Sequence, residues 1–354
     1  MLFSTEPKNS IEDLFDRERE VEKLKGSLKE RMTLILGLRR VGKSSLVLST
    51  LNSLDANFIF VDVRRAYDDV SRKVPAERLY EEMRSSLLRL SKKERMKDLI
   101  GRLNLSLEYP VRVRIPTEEI KNNILKILET LNDIGGVVVV FDEAQYLRYS
   151  TVGLRPVLAH AYDYMAGITM ILTGSEVGLL HDFVGVDDPS SELYGRYHSS
   201  IELKPLDREK SREFLRRGFE ELGIDVDDDV LERAVSELDG IVGWLVYFGK
   251  LYADRGEEAL EDVRSMGIKL LRKELDEVFS RSPYYVHIMK AIATLGRARW
   301  KNVLNYVAAQ VGRAGNVTVS RDLRNLVKMG FVEKDGDEYM IADPIVRYAV
   351  LEGY

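Results

Sequence analysis

The pattern of apolar and polar positions predicts short buried strands that alternate with helices over residues 1–204. Residues 32–36, 137–141 and 168–172 are short, mostly apolar runs, which are typical of strands buried on both faces of a sheet. Residues 58–63 are rich in Phe, Ile and Val, and residues 200–203 form a shorter candidate strand. Because the strands alternate with helices, we expect a parallel α/β sheet.

Helical periodicity separates these strands. The predicted helices are residues 17–29, 44–52, 75–100 (one or two helices) and 117–132. Between the last two, alternating apolar residues flank the turn Glu108-Tyr109-Pro110, which predicts a β-hairpin insertion near residues 103–115.

The pattern changes after Pro205 and becomes almost entirely helical to residue 280. The remaining segment combines helices with an alternating stretch at residues 331–341, interrupted by Asp335-Gly336-Asp337. Helices followed by a hairpin are the layout of a winged helix. The sequence therefore predicts an α/β domain over residues 1–204, a helical lid over 205–280 and a winged helix over 281–354.

Composition narrows the classes of function. The net charge is −5, so the chain as a whole is not an electrostatic nucleic-acid binder. The absence of cysteine excludes disulfides and thiolate metal sites. No signal peptide is visible, and no apolar run approaches the roughly 20 residues that span a bilayer. We therefore expect a cytoplasmic protein that does not engage a membrane.

Residues 37–44 match the phosphate-binding pattern Gly-x4-Gly-Lys-Ser between a predicted strand and a predicted helix. The glycines let the backbone curl, so that N–H groups point at phosphate oxygens, and the helix N-terminus attracts the same anion. Lys43 is expected to reach the β- and γ-phosphates, and the Ser44 hydroxyl to bind Mg²⁺. The pattern arises by chance in roughly one chain in a hundred of this length. It therefore predicts a site for ATP or ADP with Mg²⁺.

Asp142 and Glu143 directly follow the apolar run 137–141. Asp142 is expected to hold Mg²⁺ through its water shell, and Glu143 to accept a proton from the attacking water. An isolated Asp-Glu pair is usually only a solvated surface feature. Its place after a buried strand, beyond a phosphate-binding loop, makes the pair specific for nucleotide hydrolysis.

Three further side chains are weaker candidates. Thr173 and Ser175 end the next strand, where a hydroxyl would sense the γ-phosphate, although an ordinary strand-end turn is the alternative. Arg196 precedes the short strand at 200–203 and is a candidate to stabilise transition-state charge, in cis or from a neighbouring subunit, unless it is an ordinary surface arginine.

Together these motifs resemble the archaeal ATPase family of the STAND/AAA+ type, which is related to origin-recognition ATPases and NB-ARC switch proteins. Besides residues 37–44 and 137–143, the resemblance rests on residues 14–18 (opening motif, near the adenine), 171–175 (sensor-1 strand), 201–206 (entry to the helical lid), 239–245 (lid motif) and 339–344 (end of the winged helix). The chain departs from the pattern at Leu14, where the family has Phe, and at Gly243-Trp244, which replaces the lid proline. Ser175 stands where NB-ARC proteins have Arg.

The resemblance implies a parallel-sheet P-loop NTPase domain of the ASCE/AAA+ type, a helical lid and a winged helix. It also implies a nucleotide-driven switch, in which exchange of ADP for ATP reorganises the lid and the winged helix. The predicted nucleotide-binding residues are Arg17, Gly37, Leu38, Arg39, Arg40, Val41, Gly42, Lys43, Ser44, Ser45 and Ser175. Within this set we expect Arg39 and Arg40 to contact the lid or a partner rather than phosphates. Lys43, Glu143 and Arg196 are the catalytic candidates.

The partner and the turnover remain open at this stage. Arg321, Arg324 and Lys328 recur at helical spacing on one predicted recognition helix and are candidates for DNA contact, but winged helices also bind proteins. One hypothesis is an ATP-hydrolysing switch; the alternative is a regulatory module that holds nucleotide and hardly turns over. A small-molecule kinase is disfavoured, because a carboxylate beside the nucleotide that activates water favours hydrolysis. The sequence leaves the oligomeric state open.

Overall fold

The computed structural model describes residues 1–90, 117–312 and 315–354. The predicted hairpin near residues 103–115 therefore lies outside the described residues. The strands of the first part of the chain are β1 (Met32–Leu36), β2 (Asn57–Asp62), β3 (Val137–Asp142), β4 (Ile168–Gly174) and β5 (Ser199–Glu202). Its helices are α1 (Glu18–Ser27), α2 (Lys43–Ser53), α3 (Val63–Ala66), α4 (Ala76–Leu90), α5 (Thr117–Ile134), α6 (Leu154–Tyr164) and α7 (Val177–Val184).

The five strands form one sheet in the order β2-β3-β4-β1-β5, and every neighbouring pair is parallel. The predicted parallel α/β fold is thus confirmed. Every residue of β1 and β3 is buried, because helices cover both faces of the sheet. One face packs mainly on α4, α5 and α6, and the other on α1 and α2. The carboxyl ends of β1, β3 and β4 lie side by side at one edge, where the loops that follow them meet.

The rest of the chain is built from helices and a small antiparallel sheet. The helices are α8 (Arg208–Leu222), α9 (Asp228–Leu238), α10 (Val242–Arg255), α11 (Ala259–Phe279), α12 (Pro283–Leu295), α13 (Trp300–Val311), α14 (Asn316–Lys328) and α15 (Pro344–Gly353). The strands are β6 (Ala298–Arg299), β7 (Val332–Asp335) and β8 (Glu338–Ile341), in the order β6-β8-β7.

The helix and the hairpin that the sequence predicts near the C-terminus are present as α14 and β7–β8. One hydrophobic core joins residues of α8–α11 to residues of α12–α15, and α11 packs along α15. The domain boundaries at residues 204 and 280 and the winged-helix assignment stay predictions. Among the described residues, no helix has the length and apolar character needed to cross a bilayer.

Candidate functional site

The loop between β1 and α2 depends on two glycines. Gly37 has φ 146°, and a Cβ atom there would lie 2.3 Å from the carbonyl oxygen of Leu203, so no larger residue fits. Gly42 has φ 100°, in the left-handed region that favours glycine, and directly precedes α2. These two positions let the backbone wrap around the start of α2.

Lys43 is the first residue of α2 and is almost completely buried. Its Nζ donates to the carbonyl oxygens of Gly37 (3.0 Å) and Leu38 (2.8 Å) and lies 4.0 Å from Oε1 of Glu143. Burial lowers the pKa of Lys43, while the carboxylates of Glu143 and Asp142 oppose that shift. The ammonium group is therefore held inside the loop that the motif predicts.

Ser44, Asp142 and Thr173 form a hydrogen-bonded group at the carboxyl edge of the sheet. The Ser44 hydroxyl donates to the Asp142 carboxylate (2.9 Å to Oδ2), and the Thr173 hydroxyl donates to Asp142 Oδ1. Burial raises the pKa of Asp142 to about 6, and the nearby Glu143 carboxylate acts in the same direction.

This group fits Mg²⁺ by its chemistry, because a hydroxyl and a carboxylate oxygen are the hard ligands that the ion prefers. The described residues contain no cluster of three or more His, Cys, Asp or Glu side chains that could hold a metal by themselves. A metal at Ser44 and Asp142 would therefore take its remaining ligands from nucleotide phosphates and water.

The Glu143 carboxylate has several partners. Gln145 Nε2 donates to its Oε2 (2.6 Å), the Ser175 hydroxyl donates to the same oxygen, and the Glu143 backbone N–H donates to Thr173 Oγ1 (3.1 Å). Burial alone would raise the pKa of Glu143, but the charges of Lys43 and Arg39, with the hydrogen bonds from Ser175 and Gln145, together outweigh burial and lower it to about 2. Glu143 is therefore an ionised acceptor aligned by neighbouring side chains.

Sequence reasoning missed Gln145. Its amide contacts both Glu143 and Ser175, and its side chain is 1% exposed. A polar residue two positions after Glu143, in a segment that becomes buried, is the only signal that could have indicated it.

A cavity of about 350 Å³ adjoins these residues. Lys43, Ser44 and Glu143 give it a polar, charged part. Apolar side chains from the N-terminal segment and from helices α8 and α10 line another part: Leu14, Phe15, Phe214, Val242, Val246 and Tyr247. A cavity with both a phosphate-binding part and an apolar part fits a molecule with a nucleobase and a phosphate tail.

The predicted nucleotide-binding residues divide into two groups. Those that line the cavity are Arg17, Arg40, Val41, Gly42, Lys43, Ser44 and Ser45; those that do not are Gly37, Leu38, Arg39 and Ser175. Arg17 is 8% exposed, and its Nη2 donates to the carbonyl oxygen of Lys204 (2.9 Å). Gly37 and Leu38 contribute through their carbonyl contacts with Lys43.

Arg39 extends away from the cavity. Its guanidinium donates to Ser175 Oγ (3.3 Å) and pairs with Glu176 (3.1 Å) and with Glu274 on α11. Burial opposes its charge, but Glu274, Tyr146, Glu176 and Glu143 together outweigh burial and raise the pKa of Arg39. Arg39 therefore contacts α11, within the predicted lid, and the expectation that it contacts the lid or a partner rather than phosphates stays a prediction.

Arg40 reaches the helical part of the chain. Its carbonyl oxygen accepts the backbone N–H of Gly243 (2.9 Å), and its guanidinium lies 4.2 Å from the centre of the Trp244 ring. The Trp244 Nε1–H donates in turn to Asp343 (3.0 Å), which directly precedes α15. Arg40 therefore connects the phosphate-binding loop to α10 and, through Trp244, to α15.

The structure does not bring Arg196 to the phosphate-binding residues of its own chain. Its Nε donates to Asp163 Oδ1 (2.9 Å), its Nη1 donates to the carbonyl oxygen of Glu192, and its guanidinium lies 5.9 Å from the centre of the Tyr162 ring. A role for Arg196 in cis has no support in this arrangement. A role toward a neighbouring subunit stays a prediction.

The three candidate DNA-binding residues lie on α14 in different settings. Arg321 and Arg324 are exposed, and Nε of Arg321 lies 3.1 Å from Oδ1 of Asp322. Lys328 instead pairs with Asp182 of α7 (2.8 Å), so its charge is directed at the α/β part of the chain.

Comparison with known proteins agrees with this geometry. The model of the family described as an ATPase domain predominantly from Archaea matches residues 14–248. The Walker-type ATPase Paby2304 of Pyrococcus abyssi is similar over 99% of this chain and 100% of its own, with 37% identity and a TM-score of 0.83. The ORC2 protein of Aeropyrum pernix, in ADPNP–ADP complexes, shares the fold, with 16% identity, a TM-score of 0.61 and coverage of 99% of this chain and 96% of that chain. No curated protein matches the chain.

The family match covers the five strands of the parallel sheet, the phosphate-binding loop and the carboxylates described above, and the similarity to the Pyrococcus ATPase extends over the remaining helices and the small antiparallel sheet. This chain therefore belongs to the family of P-loop ATPase domains found predominantly in Archaea.

Proposed function

We propose that this protein binds and hydrolyses ATP as a switch of the STAND/AAA+ type, with a C-terminal winged helix that engages DNA or a protein partner. The observation that carries the proposal is the continuous hydrogen-bonded group at the carboxyl edge of the sheet. In this group Ser44 contacts Asp142, Thr173 contacts both acidic residues, and Glu143 lies beside Lys43. The types of these side chains and their grouping at one edge of the sheet support nucleotide hydrolysis.

In the proposed reaction, the backbone N–H groups of residues 37–44 and the Lys43 ammonium hold the phosphates. Ser44 and Asp142 would hold Mg²⁺, which neutralises phosphate charge when bound. Glu143 is ionised, so it accepts a hydrogen bond from the attacking water and then its proton. The hydroxyls of Thr173 and Ser175 keep the two acidic residues in place.

Contacts of the phosphate-binding loop support the switch. Arg39 reaches Glu274 of α11, and Arg40 reaches Trp244 of α10, so consecutive loop residues contact two helices outside the sheet. A nucleotide that alters the loop would alter both contacts and shift the population of arrangements.

The non-catalytic alternative has two observations in its favour. The Glu143 carboxylate already accepts hydrogen bonds from Gln145 and Ser175, and Arg196 is paired with Asp163 elsewhere. Both contacts favour slow turnover in this arrangement, as expected of a module that holds nucleotide.

The deciding experiment measures Mg²⁺-nucleotide affinity and phosphate release for the wild type, Lys43→Ala and Glu143→Gln. We expect Lys43→Ala to lose affinity, and Glu143→Gln to bind ATP but hydrolyse it about 10²-fold or more slowly. Glu77→Gln, at an exposed glutamate of α4, serves as the control and should behave as wild type. Wild-type hydrolysis in Glu143→Gln would refute the base assignment, and tight binding without phosphate release would favour the alternative.

A separate experiment addresses the partner. If DNA is bound through α14, a mobility shift should weaken with salt and be lost in Arg321→Ala/Arg324→Ala. A shift that persists unchanged in the double variant would remove these residues from the interface.

A further inference from the structure

The N-terminal segment forms one wall of the nucleotide cavity. Residues 2–8, named the strap, line it with every residue except Phe3. The facing walls come from helices α8 and α10 and from the phosphate-binding loop. Neither a motif nor periodicity in the sequence pointed to this segment.

One end of the strap is fixed by Phe3, which is 4% exposed. Its ring packs edge-to-face on Phe214 (centroids 5.9 Å apart) and Phe219 (5.0 Å) of α8. Its tip lies against two helical glycines: a Cβ at Gly218 would come 2.2 Å from the ring, and a Cβ at Gly249 would come 2.3 Å from it.

These two glycines form a socket for the ring. Glycine inside a helix costs about 1 kcal/mol relative to alanine. Alanine at either position would occupy the space that the ring fills. Glycine therefore accommodates the ring, at a cost to the local stability of α8 and α10.

The other end of the strap is fixed to α2, directly beside the predicted metal ligand Ser44. The Lys8 backbone N–H donates to Ser45 Oγ (3.1 Å), and Asn52 Nδ2 donates to the carbonyl oxygen of Asn9 (3.2 Å). The Lys8 ammonium donates to the carbonyl oxygen of Leu2 (3.0 Å), which folds the strap back on itself. The strap thus joins the lid helices to the helix of the phosphate-binding loop.

We propose that the strap retains the bound nucleotide and that packing of Phe3 in its socket holds the strap in place. A nucleoside di- or triphosphate in the cavity lies between the lid helices, the strap and α2, and these walls separate when Phe3 leaves its socket. Release of the nucleotide is then limited by the strap. This inference rests on the proposed nucleotide site and does not depend on hydrolysis.

The test is the dissociation rate of a fluorescent ADP analogue with Mg²⁺, chased by excess unlabelled ATP. Phe3→Ala empties the socket and Gly249→Ala fills it, so each should release the analogue at least tenfold faster than wild type. The double variant should release it no faster than Phe3→Ala alone, because the ring that Gly249 accommodates is already absent. Phe3→Leu, which keeps an apolar side chain in the socket, should restore much of the slow release.

Gly26→Ala is the matched control, since Gly26 is also helical but an added Cβ there would have no atom of the described residues within 4 Å. It should release the analogue at the wild-type rate. Wild-type dissociation in both Phe3→Ala and Gly249→Ala would overturn the role of the strap while leaving the nucleotide site intact. Failure of the wild type to bind the analogue would overturn both the strap and the proposed function.

Discussion

At the scale of single residues, Asp343 connects two parts of the molecule. Its carboxylate accepts the backbone N–H of Ile345 (2.8 Å) at the start of α15 and the Nε1–H of Trp244 (3.0 Å) on α10. Burial raises the pKa of Asp343, although the hydrogen bond from Trp244 acts in the opposite direction. The hydrogen bonds to Asp343 therefore stabilise the fold, whereas burial of its negative charge destabilises it.

Asp343→Asn should consequently be tolerated, whereas Asp343→Ala should lower the free energy of unfolding by about 1–3 kcal/mol, because it removes a helix cap and the acceptor of Trp244. The folded-state pKa lies above the ordinary 3.8, so the folded chain binds the proton more tightly than the unfolded chain. The contribution of Asp343 to the free energy of unfolding therefore falls as the pH rises through the folded-state pKa. Because Asn does not ionise, the stability of Asp343→Asn relative to the wild type should increase over the same range. Urea unfolding at pH 5 and pH 8 checks this. The charge of Arg40 favours the ionised form of Asp343, so an Asn variant as unstable as the Ala variant would show that this interaction requires the carboxylate charge.

Among the residues that meet at the site, the sequence indicated those that a motif defines and, at a strand end, Thr173 and Ser175. Gly37, Lys43, Ser44, Asp142 and Glu143 lie together in the structure, and their roles stay predictions. The pairing of Arg196 with Asp163 could not be predicted, because many carboxylates are equally available to a surface arginine until the fold selects one.

At the scale of elements, α14 packs directly on α7. A Cβ at Gly178 would lie 2.7 Å from the Cα of Lys328, so the two backbones approach more closely than any larger residue allows. The Lys328–Asp182 pair lies in the same contact. The candidate recognition helix is therefore docked on the α/β part of the chain.

Gly178→Ala should force α14 away from α7 and lower the free energy of unfolding by about 1–3 kcal/mol, through overpacking against backbone atoms. Limited proteolysis near residue 281 should become faster as the C-terminal elements separate. Gly153→Ala is the control, because Pro156 Cδ, at 3.9 Å, is the one atom within 4 Å of its added Cβ in the part of the chain that the structure describes. Equal stability of the two variants would mean that the contact is loose in solution.

The elements themselves were largely predictable. The runs at 32–36 and 137–141 differ from β1 and β3 by at most one residue, because strands buried on both faces leave an uninterrupted apolar signal. The predicted helix at 117–132 ends two residues before α5 does. How α14 sits on α7 could not be predicted, because a single glycine on a helix does not reveal which backbone approaches it.

At the scale of the whole molecule, Arg39 joins three regions. It extends from the phosphate-binding loop to Glu176 at the start of α7 and to Glu274 on α11, and its side chain is 16% exposed. The partners are 137 and 235 residues away along the chain. A mostly buried guanidinium with two carboxylates is costly to leave unpaired.

Arg39→Ala and Glu274→Ala should therefore each lower the free energy of unfolding. The loss in the double variant should be smaller than the sum of the two single losses by about 1–3 kcal/mol. Urea unfolding of the four proteins gives this coupling energy. Solution scattering should show a larger radius of gyration in the single variants. Strict additivity would indicate that the pair is not formed in solution.

Contacts of this range set the limit of prediction from one sequence. Phe3 reaches Gly249 and Arg39 reaches Glu274, and neither pairing leaves a local pattern of spacing or periodicity. The fold class was available because it depends on short-range alternation. The strap and the contacts of the phosphate-binding loop with the helices could not be predicted, because they depend on which surfaces far apart in the sequence meet in the fold.

Glu143 adopts φ 53°, a left-handed backbone that costs a residue with a side chain roughly 1–2 kcal/mol. Glu143→Gly and Glu143→Ala both remove the carboxylate, but only glycine relieves the backbone. The glycine variant should therefore melt at the higher temperature, which reverses the usual order of these two residues. A higher melting temperature for the alanine variant would show that the backbone relaxes.

If the expected order holds, the backbone strain at residue 143 offsets part of the stabilisation that the carboxylate gains from its partners. A stability screen of substitutions that remove this carboxylate would then rank glycine above alanine, although both lack the proposed catalytic base. Any effort to make it more robust needs an activity screen running alongside.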